Sequence, residues 1–401
     1  MVFADFHIHS KYSRACSKNL TLPEIARACE RKGIDLVATS DFTHPAWIKH
    51  IEEELEECAP GIFQLTGARS KTKFILVTEI SSIYSQGGKV RRVHSLIFSP
   101  SLACAKKFIE ELNREGCNLK SDGRPIVGLS AKQLLKIAHN ISPEMELVPA
   151  HAWTPWFSVF GSKSGFDSLE ECFEEVTPLV HAIETGLSSD PPMNFLVSKL
   201  DGITLLSNSD AHSLEKLGRE ATVFNVQENF SYHDILSAIR NKKSGGILET
   251  IEFYPQEGKY HIDGHAACKF FCEPNETKKL RGRCPICGRE LTVGVLSRVT
   301  DLADRKIKKV IHTNHISYRH IIPLLDLIAY AKQVSAMSKK VKILYDAMLE
   351  SYGSEFDILL EISPREIAKL DSDVARVIAS MRSNNIKLSS GYDGIFGKII
   401  R

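Results

Sequence analysis

The chain has 401 residues, of which 43% are hydrophobic and 25% charged, and its formal net charge is +2. The length allows two or three domains, and the composition is ordinary for a soluble globular protein. We find no apolar run long enough to span a membrane and no signal-peptide pattern before the first predicted strand. A membrane-embedded protein is therefore excluded, and a cytoplasmic location is expected.

The charge is distributed unevenly along the chain. Residues 231–320 contain 16 Lys and Arg against 10 Asp and Glu, whereas the remainder contains 35 against 39. A basic middle in a mildly acidic chain indicates a polyanionic partner, although a solvated basic surface fits these counts equally well.

The stretch "DFHIHSKYS" begins at Asp5 and places His7 and His9 one residue apart. The apolar residues around them predict a strand, in which positions i and i+2 share a face. Asp5, His7 and His9 would then project together, and burying them on one face is costly unless a ligand binds them. The pattern favours a metal site, and a surface edge strand with two solvated histidines is the alternative.

The first 230 residues alternate strand-like and helix-like segments, which predicts an α/β domain with a mostly parallel sheet or barrel. In such folds, functional residues gather at the C-terminal ends of the strands. Candidate metal ligands lie at the ends of seven consecutive predicted strands, namely Asp41, His44, Glu79, His94, His151, Glu184, Asp210 and His212. Their nitrogen and oxygen donors suit zinc or manganese, and they outnumber the four ligands of one tetrahedral zinc, so two or more metal ions are expected.

A second metal pattern is "CKFFCEPNETKKLRGRCPICG", which resembles a zinc ribbon. Four thiolates at these spacings, followed by Gly288, predict a closed structural zinc site formed by Cys268, Cys272, Cys284 and Cys287. The loop between the pairs carries basic residues expected to contact nucleic acid phosphates, namely Lys278, Lys279, Arg281 and Arg283. Phe270 and Phe271 could stack on bases, and packing inside the ribbon is the alternative for them.

The boundary between the two halves of the chain is predicted near "RNKKSGG". We expect a metal-dependent hydrolase domain over 1–230, a linker and four-cysteine module over 231–300, and a helical domain over 301–401. Apolar periodicity predicts helices around 323–348 and 364–383, and the ending "GYDGIFGKII" predicts a loop with a short strand.

The order of the candidate ligands over roughly residues 1–225 resembles the polymerase and histidinol phosphatase (PHP) family. The opening H-x-H, the isolated ligands and the closing D-x-H of that family match His7, His9, Glu79, His94, His151, Asp210 and His212. The resemblance implies a distorted (β/α) barrel in which metal ions activate water and hold phosphate oxygens. It implies catalytic roles for Glu79, Asp210 and His212.

Two departures from the PHP pattern concern a third metal ion. Many relatives have a histidine directly after the aspartate of the second motif, where Phe42 follows Asp41 here. Relatives with three metals often have another histidine six residues past the H-x-H, where this chain has Ala15. Two Zn²⁺ ions are therefore implied, with Mn²⁺ or Mg²⁺ as alternatives in activity, and a third would need Asp41, His44 and His212.

A PHP-like barrel followed by a four-cysteine module and a helical segment resembles the endonuclease Q family over essentially the whole chain. The stretches that carry the resemblance are "DFHIHSKYSRACSKN", "TSDFTHPAWI", "PAHAWTPWFSVFGSKSGFDS", "SNSDAHS" and the ribbon. It implies a DNA repair endonuclease that cleaves the phosphodiester 5′ of uracil, hypoxanthine, xanthine or an abasic site and leaves a 3′-hydroxyl and a 5′-phosphate. The implied partner is damaged DNA, single- or double-stranded, and the implied location is nucleoid-associated.

No membrane partner is expected, and the protein is expected to be a monomer. Archaeal relatives are thought to use a C-terminal sliding-clamp motif, but "IFGKIIR" shows no clear motif of that type, so no clamp partner is expected.

The segment after His151 is more aromatic than an ordinary exposed loop. A nuclease that inspects a base must take it out of the stack into a pocket. We expect the following residues to contact that base, together with Trp153: Trp156, Phe157, Phe160, Ser162, Lys163, Ser164 and Phe166. A hydrophobic lid packed on the barrel is the alternative.

Two other functions fit parts of the sequence. A small-molecule phosphatase of the histidinol-phosphatase type would use the same ligands, but it needs neither the ribbon nor the basic segment. A non-catalytic DNA-binding protein would not need the intact ligand set. A nicking assay on a uracil-containing oligonucleotide, beside a phosphate monoester, distinguishes the three.

Overall fold

The computed structural model describes residues 1–67, 70–242, 245–306 and 316–400. The strands in these ranges are β1 (Val2–Asp5), β2 (Leu36–Ala38), β3 (Leu55–Ala59), β4 (Ile62–Leu65), β5 (Lys73–Ile75), β6 (Val77–Gln86), β7 (Lys89–Phe98), β8 (Ile126–Val127), β9 (Glu146–Pro149), β10 (Ala182–Glu184), β11 (Thr204–Leu206), β12 (Ala221–Phe224), β13 (Ile247–Phe253), β14 (Asp263–His265), β15 (Phe270–Cys272), β16 (Ser317–Ile321), β17 (Leu388–Ser389) and β18 (Lys398–Ile399). The helices are α1 (Leu22–Lys32), α2 (Pro45–Glu54), α3 (Leu102–Arg114), α4 (Ala131–Ile141), α5 (Leu169–Phe173), α6 (Pro191–Asn194), α7 (Tyr232–Arg240), α8 (Pro274–Lys279), α9 (Val295–Leu302), α10 (Leu324–Lys332), α11 (Lys339–Tyr352), α12 (Pro364–Leu370) and α13 (Ser372–Arg382).

Two sheets surround the core of the barrel. Within the described ranges, the larger sheet has the strand order β16-β13-β12-β1-β2-β5-β4-β3, and the smaller has the order β8-β6-β7-β9. Phe6 joins them, because its ring lies 5.3 Å from that of Phe98 at the end of β7 and 5.5 Å from that of Phe224 at the end of β12. Apolar contacts between the sheets therefore hold the loops at the end of β1 in place.

The strands predicted from the sequence are present, but the sheets are mixed rather than mostly parallel. The larger sheet combines the parallel pair β1–β2 with the antiparallel pair β1–β12, and the smaller sheet combines the parallel pair β6–β8 with the antiparallel pair β6–β7. The hairpin β6–β7 turns at Gly87 and Gly88, whose φ angles are 62° and 73°. A two-residue Gly-Gly turn permits only antiparallel pairing, and its sequence signal was overlooked.

The larger sheet continues past the boundary predicted after residue 230. Strand β12 pairs with β13, and β13 pairs with β16, so strands from all three predicted domains share one sheet. Helix α7 also belongs to the barrel, since Arg240 Nε donates to Glu146 Oε2 at 2.6 Å. The segment between β13 and β16 is thus an insertion between two neighbouring strands of the sheet. Its residues 307–315 lie outside the described ranges.

The helical segment predicted near the C-terminus is confirmed as α10 to α13. It is attached to the barrel by a buried ion pair, in which Lys32 Nζ of α1 lies 2.7 Å from Glu355 Oε2. The hydroxyl of Tyr345 donates to the same oxygen at 2.8 Å, which offsets the cost of burying the charges. None of the described helices is sufficiently long and apolar to cross a membrane.

Two interacting carboxyl groups are buried at neighbouring strands of the larger sheet, one on β13 and one directly before β12. Glu220 and Glu252 are fully buried, and Glu252 accepts a hydrogen bond from Thr185 Oγ1 at 3.2 Å. Burial raises the pKa of both side chains, and the charge of Glu252 raises that of Glu220 further. The folded protein therefore holds protons here at a pH where the unfolded chain has lost them.

This arrangement predicts that stability falls as pH rises through the interval between the ordinary glutamate pKa of about 4.3 and the raised folded values. Glu252→Gln should flatten that dependence, because each pKa difference of one corresponds to about 1.4 kcal/mol. Urea unfolding at several pH values between about 5 and 8 measures it, with Glu228→Gln, an exposed glutamate, as the control. Equal pH slopes for Glu252→Gln and the parent protein would contradict the assignment.

Candidate metal centre and adjoining cavity

The first group of candidate ligands forms where the chain leaves β1. His7 Nε2 lies 3.3 Å and His9 Nε2 lies 3.5 Å from Glu79 Oε2 of β6. Asp210 Oδ1, on the loop after β11, lies 3.1 Å from His9 Nε2 and 3.5 Å from His7 Nε2. The opening H-x-H, the glutamate of the smaller sheet and the closing aspartate thus meet at one point.

The second group uses the other oxygen of the same glutamate. Glu79 Oε1 lies 2.6 Å from His94 Nδ1 on β7 and 3.4 Å from His151 Nε2 after β9. A third group joins His9 and Asp210 to His212, whose Nδ1 lies 3.5 Å from Asp210 Oδ1. Glu79 is therefore shared by two groups and could bridge two cations.

The far nitrogens of the imidazoles are held by other groups. His7 Nδ1 lies 3.0 Å from Glu184 Oε2, and His151 Nδ1 lies 3.1 Å from Thr154 Oγ1. Glu184 also accepts from the His151 backbone N–H at 2.6 Å and from Asn208 Nδ2 at 2.9 Å. A carboxylate that orients a ligating histidine is common around metal sites, and Glu184 has that place here rather than a place among the ligands.

The donor set fits divalent metal ions. His7 Nε2 and Glu79 Oε1 are buried without a well-aligned hydrogen bond among the described residues. Unpaired buried polar atoms are costly, and these two, which face the other candidate ligands, would be satisfied by a bound cation. Imidazole nitrogen with carboxylate oxygen is the combination expected for zinc or manganese.

The charges within the site support ligand roles. Burial would raise the pKa of Glu79, but His94 and Arg124 lower it well below its usual value. Burial likewise opposes ionisation of Asp210, and His7 and His9 lower its pKa well below the ordinary range. Burial lowers the pKa of His94 to about 4, so its imidazole is neutral at physiological pH, as metal ligation requires.

Two residues expected at a third metal have other contacts. His44 Nδ1 accepts the Ala46 backbone N–H at 3.3 Å, and the His44 ring stacks on Tyr12 at 4.4 Å. This imidazole caps α2, which takes it out of the expected ligand set. Asp41 Oδ2 accepts from Ser10 Oγ at 2.6 Å, while Oδ1 lies 3.7 Å from His9 Nδ1, so Asp41 supports His9. The third group formed by the fold is His9, Asp210 and His212.

A cavity of about 670 Å³ opens directly onto this centre. His151, Asp210 and His212 lie at its floor, and four aromatic side chains line it, namely Trp156, Phe157, Tyr260 and Phe396. Lys216, Arg219 and Lys259 add positive charge to the wall, with Lys259 Nζ 4.7 Å from the centre of the Phe396 ring. The cavity is large enough for a nucleotide and carries the charge to hold its phosphates.

The segment 153–166 divides between cavity and core. Trp156 and Phe157 reach the cavity, whereas Trp153, Phe160 and Phe166 are buried, and Trp153 lies 4.6 Å from Phe160, ring to ring. The polar residues are engaged elsewhere: Ser162 Oγ donates to Val293 O, Lys163 pairs with Glu290 at 3.5 Å, and Ser164 Oγ donates to Arg92 O. The expected base contacts are thus reduced to Trp156 and Phe157, because the rest of the segment packs as a lid.

The inserted segment contains a separate group of candidate metal ligands. It consists of His265, Cys268, Cys284 and Cys287, whose ligand atoms all lie within 4.8 Å of one another. The fourth predicted cysteine, Cys272, lies outside this group, with its sulfur 3.2 Å from Thr277 Oγ1. Three of the four predicted thiols are therefore brought together, and an imidazole completes the set.

A sequence signal for His265 was overlooked. "HAAC" and "CPIC" have the same x2 spacing, and each is followed by a residue in the left-handed conformation, Lys269 at φ 52° and Gly288 at φ 73°. The two turns would supply the four donors of a Cys₃His metal site. The four predicted basic side chains of this module, Lys278, Lys279, Arg281 and Arg283, are all exposed.

Comparison with known proteins gives the family. A family model described as PHP-associated matches residues 198–244, and one described as the MJ0043 C-terminal domain matches residues 323–385. The crystal structure of the lesion-specific endonuclease PfuEndoQ from Pyrococcus furiosus is 31% identical, with a TM-score of 0.87, over 99% of this chain and 94% of that one. This chain belongs to the endonuclease Q family.

Further similarities extend over the full length of the chain. A structure of endonuclease Q in complex with a 27-mer duplex with an abasic lesion at the active site is 32% identical, with a TM-score of 0.88, and covers 99% of this chain and 96% of that one. The Bacillus subtilis (strain 168) protein YqxK is 29% identical over 99% of both chains. The endonuclease Q fold, with a PHP barrel, an inserted metal-binding module and C-terminal helices, is thereby confirmed.

The geometry of the inserted module predicts different effects for two of its cysteines. Cys287→Ser should remove the bound metal and lower the thermal midpoint, because a closed structural site contributes folding free energy directly. Cys272→Ser, the matched control, should keep one metal ion per module. Metal content by mass spectrometry, with thermal unfolding, measures both; loss of the metal from Cys272→Ser would restore Cys272 as a ligand.

Proposed function

We propose that this endonuclease Q family member is a DNA repair endonuclease that cleaves the phosphodiester 5′ of a deaminated base or an abasic site. Uracil, hypoxanthine and xanthine are the proposed bases, and the products carry a 3′-hydroxyl and a 5′-phosphate. The observation that carries the proposal is the position of the ligand cluster, bridged by Glu79, at the floor of a nucleotide-sized cavity. The lesion-bound relative supports the same use of that cavity.

The proposed chemistry is hydrolysis of a phosphodiester. Zn²⁺ ions, or Mn²⁺ or Mg²⁺ in their place, would be held by His7, His9, Glu79 and Asp210 and by His94 and His151, and would activate water and neutralise phosphate oxygens. The water oxygen bonds to phosphorus, the P–O3′ bond breaks, and the departing O3′ takes a proton. The protein holds Glu79 and Asp210 ionised and His94 neutral. Burial would lower the pKa of His7 and of His9, but the neighbouring carboxylates raise it, so a cation would bind there in exchange for protons.

The cavity wall is suited to a nucleobase turned out of the helix. Trp156 and Tyr260 meet edge to face at 5.8 Å, and Phe396 is half exposed at the rim. Aromatic faces stack on any base, so they supply affinity without choosing among bases. Choice would come from polar groups: uracil and hypoxanthine share a carbonyl beside a ring N–H where cytosine and adenine carry an amine, and one buried mismatch costs roughly 1–3 kcal/mol.

A small-molecule phosphatase fits the site less well. A phosphate monoester would use the metal ligands, but it has no need of exposed basic residues on the inserted module or of an aromatic wall. A vestigial, non-catalytic barrel would not keep unpaired donors converging in its interior. The proposed endonuclease uses all of these features.

Asp210→Asn should reduce nicking of a uracil-containing duplex by about 10²–10³-fold, because it removes the negative charge that faces His7, His9 and His212. Binding of the same duplex in chelator should change little, since phosphate contacts elsewhere supply most of the affinity. Asp346→Asn, an exposed aspartate on α11, is the control. The measurement is single-turnover nicking beside hydrolysis of histidinol phosphate; cleavage of the monoester alone would favour the phosphatase.

Trp156→Ala should slow cleavage at uracil and hypoxanthine more than at an abasic site, because an abasic site has no base to stack. Replacing Lys278 and Lys279 by Ala should instead weaken binding to damaged and undamaged duplexes equally, and reduce the salt slope by about one for each lysine that contacts a phosphate. Nicking rates on the three lesions and binding at several salt concentrations test this division. A Trp156→Ala protein that loses uracil and abasic cleavage in the same proportion would contradict the stacking role.

A further inference from the structure

The guanidinium of Arg124 reaches the metal centre from the side of the smaller sheet. Its Nη1 lies 3.2 Å from Glu79 Oε2, the oxygen that also faces His7 and His9. The side chain is 23% exposed, so it is neither buried in the core nor free in solvent. Nothing in the sequence patterns pointed to this residue, which lies on the loop between α3 and β8.

The backbone around Arg124 is fixed on both sides. Asp122 Oδ1 accepts from the backbone N–H of Arg124 and of Arg14, each at 3.2 Å. Immediately after Arg124, the carbonyl of Pro125 accepts the N–H of Ser81 at 3.0 Å, which attaches the loop to the strand that carries Glu79. The position of the guanidinium beside Glu79 is therefore determined by backbone contacts.

Gly123 shows how closely this loop approaches the site. A Cβ at position 123 would lie 2.2 Å from Asp41 Oδ2 and 2.4 Å from Ser13 Oγ. Both neighbours are buried, and Asp41 is held by further hydrogen bonds, so neither could move aside cheaply. A side chain there would push Arg124 away from Glu79.

Neutralising the charge of Glu79 does not by itself explain why the positively charged side chain of Arg124 lies here. Glu79 already faces four imidazoles, and divalent ions in the ligand groups would add more positive charge beside the guanidinium. Like charges so close repel, and an anion placed between them relieves the repulsion. Among the described residues, Glu79 is the one side chain that hydrogen-bonds the guanidinium, which leaves further N–H donors for such an anion.

We propose that Arg124 is a catalytic residue that donates hydrogen bonds to a non-bridging oxygen of the scissile phosphate. The inference rests on the proposed endonuclease function. During hydrolysis the water oxygen bonds to phosphorus and the P–O3′ bond breaks, with the proton going to O3′. Negative charge on the non-bridging oxygens grows as the water attacks, and a fixed guanidinium beside them stabilises it without rearrangement.

Three variants test the proposal with a duplex that contains a single uracil. Arg124→Ala should lower the single-turnover nicking rate at saturating metal by about 10²–10³-fold, and added guanidinium ion should restore at least about tenfold of it. Arg124→Lys should keep the charge and the fold but remain at least about tenfold slower, because an ammonium lacks the planar fork. Arg14→Ala is the matched control, since Arg14 pairs with the same Asp122 at 3.4 Å but is 74% exposed; its rate should equal that of the parent protein.

Readouts besides the rate separate catalysis from a role in metal binding. Bound metal per chain should be equal in the parent protein, Arg124→Ala and Arg124→Lys, and thermal unfolding checks that each is folded. A rate for Arg124→Ala within about threefold of the parent rate, or a deficit that disappears when more metal is added, would overturn the proposal and leave Arg124 as a charge partner of Glu79. Failure of the parent protein itself to nick the duplex would instead contradict the proposed function.

Discussion

The shared carboxylate of Glu79 is the interaction on which the rest of the site depends. One oxygen faces His7 and His9 from the first strand connection, and the other faces His94 and His151 from the smaller sheet. Glu79 lies inside the long hairpin β6–β7 rather than on a loop, so ladder hydrogen bonds on its own strand hold its position. Cations held by the two groups would therefore be placed by one carboxylate of fixed position.

The clustering of the candidate ligands was predictable from the sequence, because His, Asp and Glu recur beside strand ends and the ends of neighbouring strands meet. The roles of His44 and Arg124 were not predictable in this way. A histidine before a proline can cap a helix as easily as it can bind a metal, and the sequence does not distinguish the two. The position of Arg124 beside Glu79 depends on a backbone contact with a distant strand, which the sequence does not show. In the aromatic segment after His151, some side chains line the cavity and others pack in the core. The sequence did not separate the two sets, because an apolar residue type predicts burial but not the residues that it will contact.

Strand positions followed from local alternation of apolar residues, whereas strand directions and the domain boundary did not. Whether two strands pair parallel or antiparallel depends on the connection between them, and the pattern of apolar residues within a strand does not indicate that connection. The boundary predicted near residue 230 relied on a change in composition. However, β13 and β16 are adjacent in the sheet although a basic, metal-binding segment separates them in the chain. The amino-acid composition of a segment indicates the surface that it exposes to solvent. It does not indicate which strands pair in a sheet, because the pairing partners can be distant in sequence.

The inserted module and the C-terminal hairpin, which consists of β17, β18 and the loop between them, both contribute to the cavity wall. Asp393 accepts from the Ala266 backbone N–H at 2.7 Å, inside the turn that carries His265, and from Thr292 Oγ1 at 2.6 Å. Tyr392 lies so close to Gly264 that a Cβ there would approach its ring to 2.4 Å. Three residues beyond Asp393, Phe396 forms part of the cavity rim. The turns of the module are thus connected to a wall of the cavity, and a metal ion held by the module would stabilise that wall although it would lie outside the cluster around Glu79. Without these additions the cavity would lose Tyr260 and Phe396, which are two of its four aromatic side chains, and only Trp156 and Phe157 of the barrel would remain to stack on a base.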